Sequence, residues 1–169
     1  MAQNLIDLRR RIRAVKDTQK TTKAMKTVSA SKLRRSVTEW NRTQPLMDRI
    51  RDTLDRVAKF SQITETIKTH AFLEERAAGE TVMVVVSTDK GLCGAFNSHL
   101  MEMAEHRYRE LLRQGNDNLS LVTIGNKAYK HFKKRDYPIK KNYPSVMTRL
   151  RYHHAQDLSR YFQEIYLDP

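Results

Sequence analysis

The stretch VMVVVSTDKGLCGAFNSHL, Val82–Leu100, decides the fold of the second half of this 169-residue chain. It opens on a valine-rich run, which is typical of a fully buried strand, and closes in residues that suit a helix. Between them, Gly91 and Gly94 permit a tight strand-to-helix turn. We therefore expect a buried strand over Thr81–Ser87 and a helix from about Asn97 to Gln114. The helix residues that we expect to face the core are Leu100, Met103, Ala104, Leu111 and Leu112.

The same alternation continues further along the chain. Leu119–Ile124 is a second apolar run and predicts another buried strand. Residues 126–134 and 154–167 have helical patterns, whereas the segment RDYPIKKNYP at 135–144 is extended at most. Strands and helices that alternate at this spacing favour a parallel sheet with helices on its faces. The fold class is therefore α/β, with a long amino-terminal coiled-coil helix and a Rossmann-like parallel-sheet domain.

A long helix precedes that domain. Residues 3–59 contain no glycine and a single proline, Pro45, which predicts a kink or a one-turn break. Apolar residues recur with 3-4-3 spacing, which is the pattern of a coiled-coil seam. They are Leu5, Leu8, Ile12 and Val15. About 55 helical residues at ~1.5 Å each predict a rod roughly 80 Å long.

The domain organisation follows from these patterns. We expect a basic coiled-coil shaft over residues 1–60, a linker over 61–80, and a partial α/β domain over 81–169. A helix owes most of its stability to the packing of its apolar face, so a rod this long needs a partner helix. The helices expected after residue 80 are too short. The partner is therefore another copy, another protein, or a segment outside this chain.

Positive charge is concentrated in the rod. The chain has a net charge of +13, and residues 1–60 hold 16 Lys and Arg against 6 Asp and Glu. Between Arg9 and Arg35 there are eleven basic residues and one acidic residue, Asp17. Such a rod indicates an anionic partner: nucleic acid, a lipid surface or an acidic protein. The basic stretch has no aromatic residue before Trp40 to stack on bases, but a nucleic-acid-binding coiled coil with an α/β module remains an alternative.

The glycine turn does not match the known phosphate-binding loops. A P-loop places its lysine after the last glycine, whereas Lys90 precedes Gly91 here. Ser87 and Lys90 fit the short S-x-x-K pattern of some acyl-transferring enzymes, but its companion motifs are missing. A small α/β enzyme that uses Ser87, Lys90 or Cys93 is a third hypothesis. The pair His153 and His154 is weak as a metal site, and the lone cysteine favours a reducing, cytosolic-type compartment.

Three segments together resemble one family, the γ subunit of the rotary F-type ATP synthase. TQKTTKAMKTVSASKLRR, residues 18–35, resembles the amino-terminal helix of that subunit. VVVSTDKGLCGAFNSHL, residues 84–100, is similar to the family's hallmark after its first strand, and LVTIGNKAYKHFKKR, residues 121–135, to its second strand and helix. The similarity covers roughly residues 5–135 and is weak over residues 136–169.

The resemblance implies a non-catalytic rotor shaft, with no catalytic residue, cofactor or metal on this chain. The implied partners are the α and β subunits of an α3β3 hexamer, the ε subunit and the membrane c-subunit ring, with no nucleic acid. The shaft would couple ion-driven rotation to ATP synthesis or hydrolysis on the β subunits. It would lie peripherally at the cytoplasmic face of a bacterial inner membrane, or at the matrix or stromal equivalent. Its partner would be a carboxy-terminal helix beyond residue 169.

The resemblance and position along the rod also give candidate partner-binding residues. By resemblance, the group that faces the moving β loop is Thr21, Thr22, Lys23 and Met25. By position, the group near the upper bearing of the hexamer is Arg9, Arg10, Arg13 and Lys16. Also by position, the group toward the exit is Lys32, Arg34 and Arg35.

Overall fold

The computed structural model describes residues 2–61, 71–72, 79–148 and 150–167. Its residue contacts divide the chain into two compact units, Met1–Thr69 and His70–Pro169, and each is described by itself. The linker predicted over residues 61–80 falls for the most part outside the described residues.

The described part of the first unit is one helix, α1, which runs without interruption from Ala2 to Ser61. Its 60 residues at ~1.5 Å each give a length of about 90 Å. The long helix predicted from the sequence is therefore confirmed. The helix continues through Pro45, so the alternative of a one-turn break there is wrong. Proline removes one hydrogen bond from a helix interior, and the good helix formers on both sides keep the remaining ladder intact.

The second unit alternates strands and helices, as the sequence predicts. Its elements are β1 (Thr81–Val86), α2 (Phe96–Arg113), β2 (Leu119–Ile124), α3 (Asn126–Lys133), β3 (Ile139–Tyr143), a 3-10 turn (Val146–Thr148) and α4 (Tyr152–Leu167). The α/β fold class is confirmed.

The three strands form a parallel sheet in the order β1-β2-β3. β1 and β2 are in simple register from Thr81 opposite Leu119 to Val86 opposite Ile124. β3 pairs with β2 from Ile139 opposite Leu121, with a register shift after Leu121. The sequence did not predict β3 as a strand because its centre consists of two lysines and an asparagine, which have weak strand propensity.

The core lies between the sheet and the two helices α2 and α3. Side chains from β1, β2, α2 and α3 belong to one buried cluster, so both helices cover the same face of the sheet. The buried members are Val85, Met101, Ala104, Tyr108, Leu119, Leu121, Ala128 and Phe132. On β3, Tyr143 meets the ring of Tyr161 of α4. Since Tyr143 pairs with Ile124, whose side chain alternates away from Leu121, α4 lies on the opposite face.

The predicted inward face of α2 was partly wrong. Ala104 is buried and Leu100 and Leu111 pack against the core, but Met103 is 69% exposed and Leu112 is exposed as well. The helix instead buries Met101, Ala104 and Tyr108, which recur with 3-4 spacing. The buried face of α2 was assigned wrongly because Met103 and Leu112 are as apolar as the residues that the helix buries.

The prediction of two fully buried strands holds for β2 and fails for β1. Every residue of β2 is buried. In β1 the side chain of Val85 is buried, while Val84 and Val86 on the other face are 40% and 45% exposed. β1 is an edge strand of the described sheet, so its second face has no cover comparable with that of β2.

Candidate functional site

The surface of α1 is the candidate site, and its two halves differ in charge. Residues 1–35 hold eleven Lys and Arg against two Asp, whereas residues 36–60 hold five against four acidic residues. From Asn4 to Val57 every side chain of the helix is exposed. The amino-terminal half therefore presents its positive charge to its surroundings with few acidic neighbours to compensate it.

Five basic residues form a continuous row along this half. They recur with 4-3-4-3 spacing, which places residues on one face of an α-helix. We call them the basic row: Arg9, Arg13, Lys16, Lys20 and Lys23. Four of them are among the predicted partner-binding residues. Lys20 was missed, although its spacing from Lys16 and Lys23 is the signal that identifies it. Arg34 continues the same face after two small positions, Thr27 and Ala30.

The other predicted residues lie elsewhere on the helix. At 100° per residue, Lys23 and Met25 point about 160° apart. Met25 shares its side with Lys32, seven residues further on, and Arg10, Thr21 and Arg35 lie between that side and the basic row. A flat partner surface would reach one side of this set. A partner that surrounds the helix would reach all of it.

The threonines of this region use their hydroxyls within the helix. Thr21 Oγ1 donates to the carbonyl of Asp17 at 3.0 Å, and Thr22 Oγ1 donates to the carbonyl of Thr18 at 2.9 Å. These bonds occupy the hydroxyl hydrogens and leave methyl groups and oxygen lone pairs outward. Beside Met25, which is 46% exposed, they make a small, weakly polar surface between the basic residues.

The apolar seam keeps one heptad frame across the whole helix. Because α1 is continuous through Pro45, the frame that starts at Leu5 reaches a second apolar group near the other end. That group is Met47, Ile50, Leu54 and Val57, all exposed. Between the two groups the frame passes through Gln19, Thr22, Lys26 and Ser29. In the described part of the chain no second helix approaches this length, since α2 and α4 have 18 and 16 residues.

The glycine turn uses its polar groups to join elements of its own fold. Ser87 is 2% exposed, and its Oγ accepts a hydrogen bond from the backbone N–H of Ala128 at 2.8 Å. Thr88 Oγ1 accepts from Asn97 Nδ2 at 2.8 Å, which ties the turn to the start of α2. The same Asn97 amide lies 3.0 Å from Cys93 Sγ. A buried, hydrogen-bonded Ser87 is unsuited to the nucleophile's role in the third hypothesis.

Asp89 fastens this turn to two later segments. Its Oδ1 accepts from the backbone N–H of Asn126 at 3.1 Å, at the start of α3, and from that of Ser145 at 3.0 Å. Its Oδ2 accepts from Thr148 Oγ1 at 2.9 Å. A carboxylate at a helix amino terminus satisfies N–H groups that the helix cannot, so Asp89 acts as a cap supplied from a distance.

Metal-binding clusters and membrane-spanning helices are both lacking among the described residues. No group of three or more His, Cys, Asp or Glu side chains there could hold a metal ion. His153 and His154 lie in the first turn of α4 with ring centroids 4.0 Å apart, and His154 Nδ1 accepts from the N–H of Arg151. None of the described helices is both long enough and apolar enough to span a bilayer.

Comparisons with known proteins give the family. A family model described as ATP synthase matches residues 4–168. The ATP synthase gamma chain of Desulforamulus reducens is 35% identical over 161 residues, which are 95% of this chain and 54% of the relative. The gamma chain of Synechococcus sp. (strain CC9902) is 38% identical over 136 residues, 80% of this chain and 42% of the relative.

Among solved structures, a chain of the Euglena gracilis mitochondrial ATP synthase is similar at 18% identity and a TM-score of 0.37, covering 67% of this chain and 46% of that one. The chain spans about half the length of the curated relatives that it matches. Because the family model matches nearly every residue, from 4 to 168, the chain belongs to the ATP synthase family.

Proposed function

We propose that this chain forms the central shaft of a rotary ATP synthase and has no catalytic role of its own. The observation that supports this best is α1, an unbroken helix of 60 residues whose amino-terminal half is exposed and strongly basic. The relatives that match it are gamma chains of ATP synthases. The proposed partners are the α and β subunits of the hexamer, the ε subunit and the membrane c-subunit ring.

The distribution of residues around α1 suits a surrounding partner. The basic row occupies one side, and Met25 with Lys32 occupies another, so a hexamer that encloses the helix can contact both. Lysine and arginine side chains on a smooth helix attract acidic loops without fixing one geometry. Thr21 and Thr22, whose hydroxyls bond to their own helix, add no competing hydrogen-bond donors. Contacts of this kind allow the helix to turn while attraction is maintained.

The proposed mechanism is a coupling of free energies. Each β subunit binds ADP, phosphate or ATP with an affinity that depends on which side of α1 it faces. By linkage, nucleotide binding then favours particular angles of the shaft. Rotation driven by ion flow would change the side presented to each β subunit in turn. In this proposal the complex lies peripherally at the cytoplasmic face of a bacterial membrane, or at the equivalent organellar face.

The test is capture of a partner hexamer. The tagged protein, in the form that the cell makes, is produced together with the α and β subunits of the same organism. We expect a nucleotide-bearing hexamer to co-purify. Substituting Lys16→Gln, Lys20→Gln and Lys23→Gln together should slow its assembly by about tenfold at low salt, because charged rims act mainly on association rates.

A charge-matched control lies further along the same helix. The variant Arg42→Gln, Arg49→Gln and Arg51→Gln removes the same charge from a segment where acidic residues already balance it, so a smaller effect is expected. Equal effects of the two variants, or failure of the wild type to capture a hexamer, would overturn the proposal. Tight binding to duplex DNA that falls steeply with salt would support the nucleic-acid alternative instead.

A further inference from the structure

The α/β unit contains a second basic surface, distinct from α1. Residues 126–141 hold seven Lys and Arg and one acidic residue, Asp136. The rest of residues 61–169 hold nine basic and twelve acidic residues. The net positive charge of this half of the chain therefore comes entirely from one short segment that contains α3 and the first three residues of β3.

The charge is displayed by one side of α3. Ala128 and Phe132 are fully buried against the sheet and fix which side of the helix faces inward. The opposite side consists of Lys127, Lys130 and Lys134, with spacings of three and four residues, all exposed. Lys134 is the C-cap and still has helical φ and ψ of −64° and −19°. We call these three residues the lysine face.

No ion pair found among the described residues involves the lysine face. The Glu105 carboxylate accepts from His131 Nε2 at 2.7 Å and lies 3.3 Å from Arg135 Nε, so it is already engaged. Glu80 pairs with Lys140 on β3. Lys141 lies over the ring of Tyr161 at 3.9 Å. The two lysines of β3 thus have partners within the unit, whereas Lys127, Lys130 and Lys134 are exposed.

Residues 126–141 contain lysine in strong preference to arginine. Of the eight lysines in residues 61–169, six lie in 126–141, whereas seven of the eight arginines lie outside that segment. Arginine recognises a single carboxylate or phosphate with two parallel hydrogen bonds, while lysine acts as a mobile point charge. A surface that favours lysine over arginine suits many independent phosphate groups whose positions are not fixed.

The aromatic residues near the lysine face argue against single-stranded nucleic acid as its ligand. Tyr137 packs edge-on against Tyr108 and Phe132, with ring centroids 4.8 and 5.1 Å away. The hydroxyl of Tyr129 accepts from Lys133 Nζ at 2.9 Å. No aromatic ring of residues 126–137 is exposed, so the surface offers no platform on which bases could stack.

We propose that the lysine face binds anionic phospholipid headgroups. Each lysine near a membrane with negative surface potential strengthens binding by about fivefold, and headgroups can rearrange laterally to meet three ammonium groups. The lysine face includes no apolar side chain, so the contact is adsorption to headgroups without insertion into the bilayer. This inference goes beyond the proposed function, since it concerns the α/β unit and does not depend on a hexamer.

Lysine footprinting tests the proposal on the protein in the form that the cell makes. The protein is acetylated with an N-hydroxysuccinimide ester in the presence of phosphatidylcholine vesicles that contain about one quarter phosphatidylglycerol. We expect acetylation of Lys127, Lys130 and Lys134 to slow by about fivefold relative to pure phosphatidylcholine vesicles, and the protection to disappear in about 0.5 M salt. Inorganic phosphate and duplex DNA at equal phosphate concentration are run in parallel.

Two charge-matched variants separate the lysine face from the basic helix. The variant Lys127→Gln, Lys130→Gln and Lys134→Gln should bind the anionic vesicles about 100-fold more weakly, at about fivefold for each charge. The variant Arg107→Gln, Arg109→Gln and Arg113→Gln, on exposed positions of α2, removes the same charge and should change binding little. Any contribution of α1 is common to both. Unprotected lysines, equal protection by phosphate or duplex DNA, or equal losses in the two variants would overturn the proposal.

Discussion

At the residue scale, Gly125 joins β2 to α3 in a space that admits no side chain. Its φ is +94°, and a Cβ at this position would lie 2.3 Å from the carbonyl oxygen of Ser87. The neighbouring backbone cannot move away, because Ser87 N–H and Gly125 N–H both donate to carbonyls of adjacent strands. The close approach of two parallel strand ends is therefore what requires glycine.

Gly125→Ala should destabilise the α/β unit by about 3 kcal/mol, from backbone strain together with the clash. Gly115→Ala is the control, because its φ of +86° is also positive while nothing lies within 4 Å of the added Cβ. The control should cost about 1 kcal/mol. Hydrogen exchange of the β2 amides measures both losses, and equal losses would show that the contact with Ser87 is unimportant.

We expect the stability of the α/β unit to depend on pH through the carboxyl group of Glu80. Hydrogen bonds from Lys140 and then from Ser120, the latter at 2.5 Å, lower the pKa of the Glu80 carboxyl. A carboxyl whose pKa is lowered by folding stabilises the folded state above its unfolded pKa of about 4.3, and this contribution is lost as the pH falls through the folded value.

We therefore expect Glu80→Gln to flatten the loss of thermal stability between about pH 5 and pH 3. Circular dichroism at a series of pH values measures the change. Glu110→Gln serves as the control, since the pKa of Glu110 is also lowered, chiefly by its hydrogen bond from Arg107, but that ion pair is exposed to solvent. An unchanged pH profile in Glu80→Gln would contradict the assignment.

At the scale of elements, composition and periodicity predicted most of the structure. The valine-rich run and the glycines at 91 and 94 predicted β1 and its turn, and the glycine-free basic run predicted α1. β3 was not predicted as a strand because its lysines have weak strand propensity. They are tolerated because β3 lies at the edge of the sheet, where strand propensity matters little. The frame of α2 was misplaced because burial depends on which side meets the sheet, and that is a property of the tertiary packing.

The candidate site was less predictable than the elements. Positive charge and spacing identified most of the basic row, and the same spacing would have added Lys20. The lysine face could not be recognised until the structure showed that Ala128 and Phe132 fix the inner side of α3. Charge on a short helix has no direction until the buried side is known.

Pro45 is a local weak point of α1. It cannot donate to the carbonyl of Asn41, so one bond of the helical ladder is missing. Pro45→Ala should stabilise the surrounding turns by up to about 3 kcal/mol and slow amide exchange nearby on the order of 100-fold. Thr43→Ala, two residues before Pro45 in the same helix, should change exchange far less. Equal protection in wild type and Pro45→Ala would show that the helix already opens and closes as a whole.

At the scale of the whole molecule, two apolar surfaces lack cover in the described residues. One is the seam of α1, and the other is the face of β1 that holds Val84 and Val86. Contiguous exposed apolar surface and open strand edges promote association. We expect the isolated chain to aggregate or to be poorly ordered, as measured by light scattering and circular dichroism. Val84→Thr with Val86→Thr should reduce the aggregation, while a stable, monodisperse wild-type monomer would contradict this expectation.

The central claim is that α1 works while enclosed by other subunits. The most direct measurement places a photo-crosslinking amino acid at Lys20 and, in a separate variant, at Met25, which lie on different sides of the helix. In the assembled complex, we expect both positions to crosslink to α or β subunits with comparable yield. Crosslinks from one side alone, or none from either position in a complex that contains the hexamer, would contradict the account.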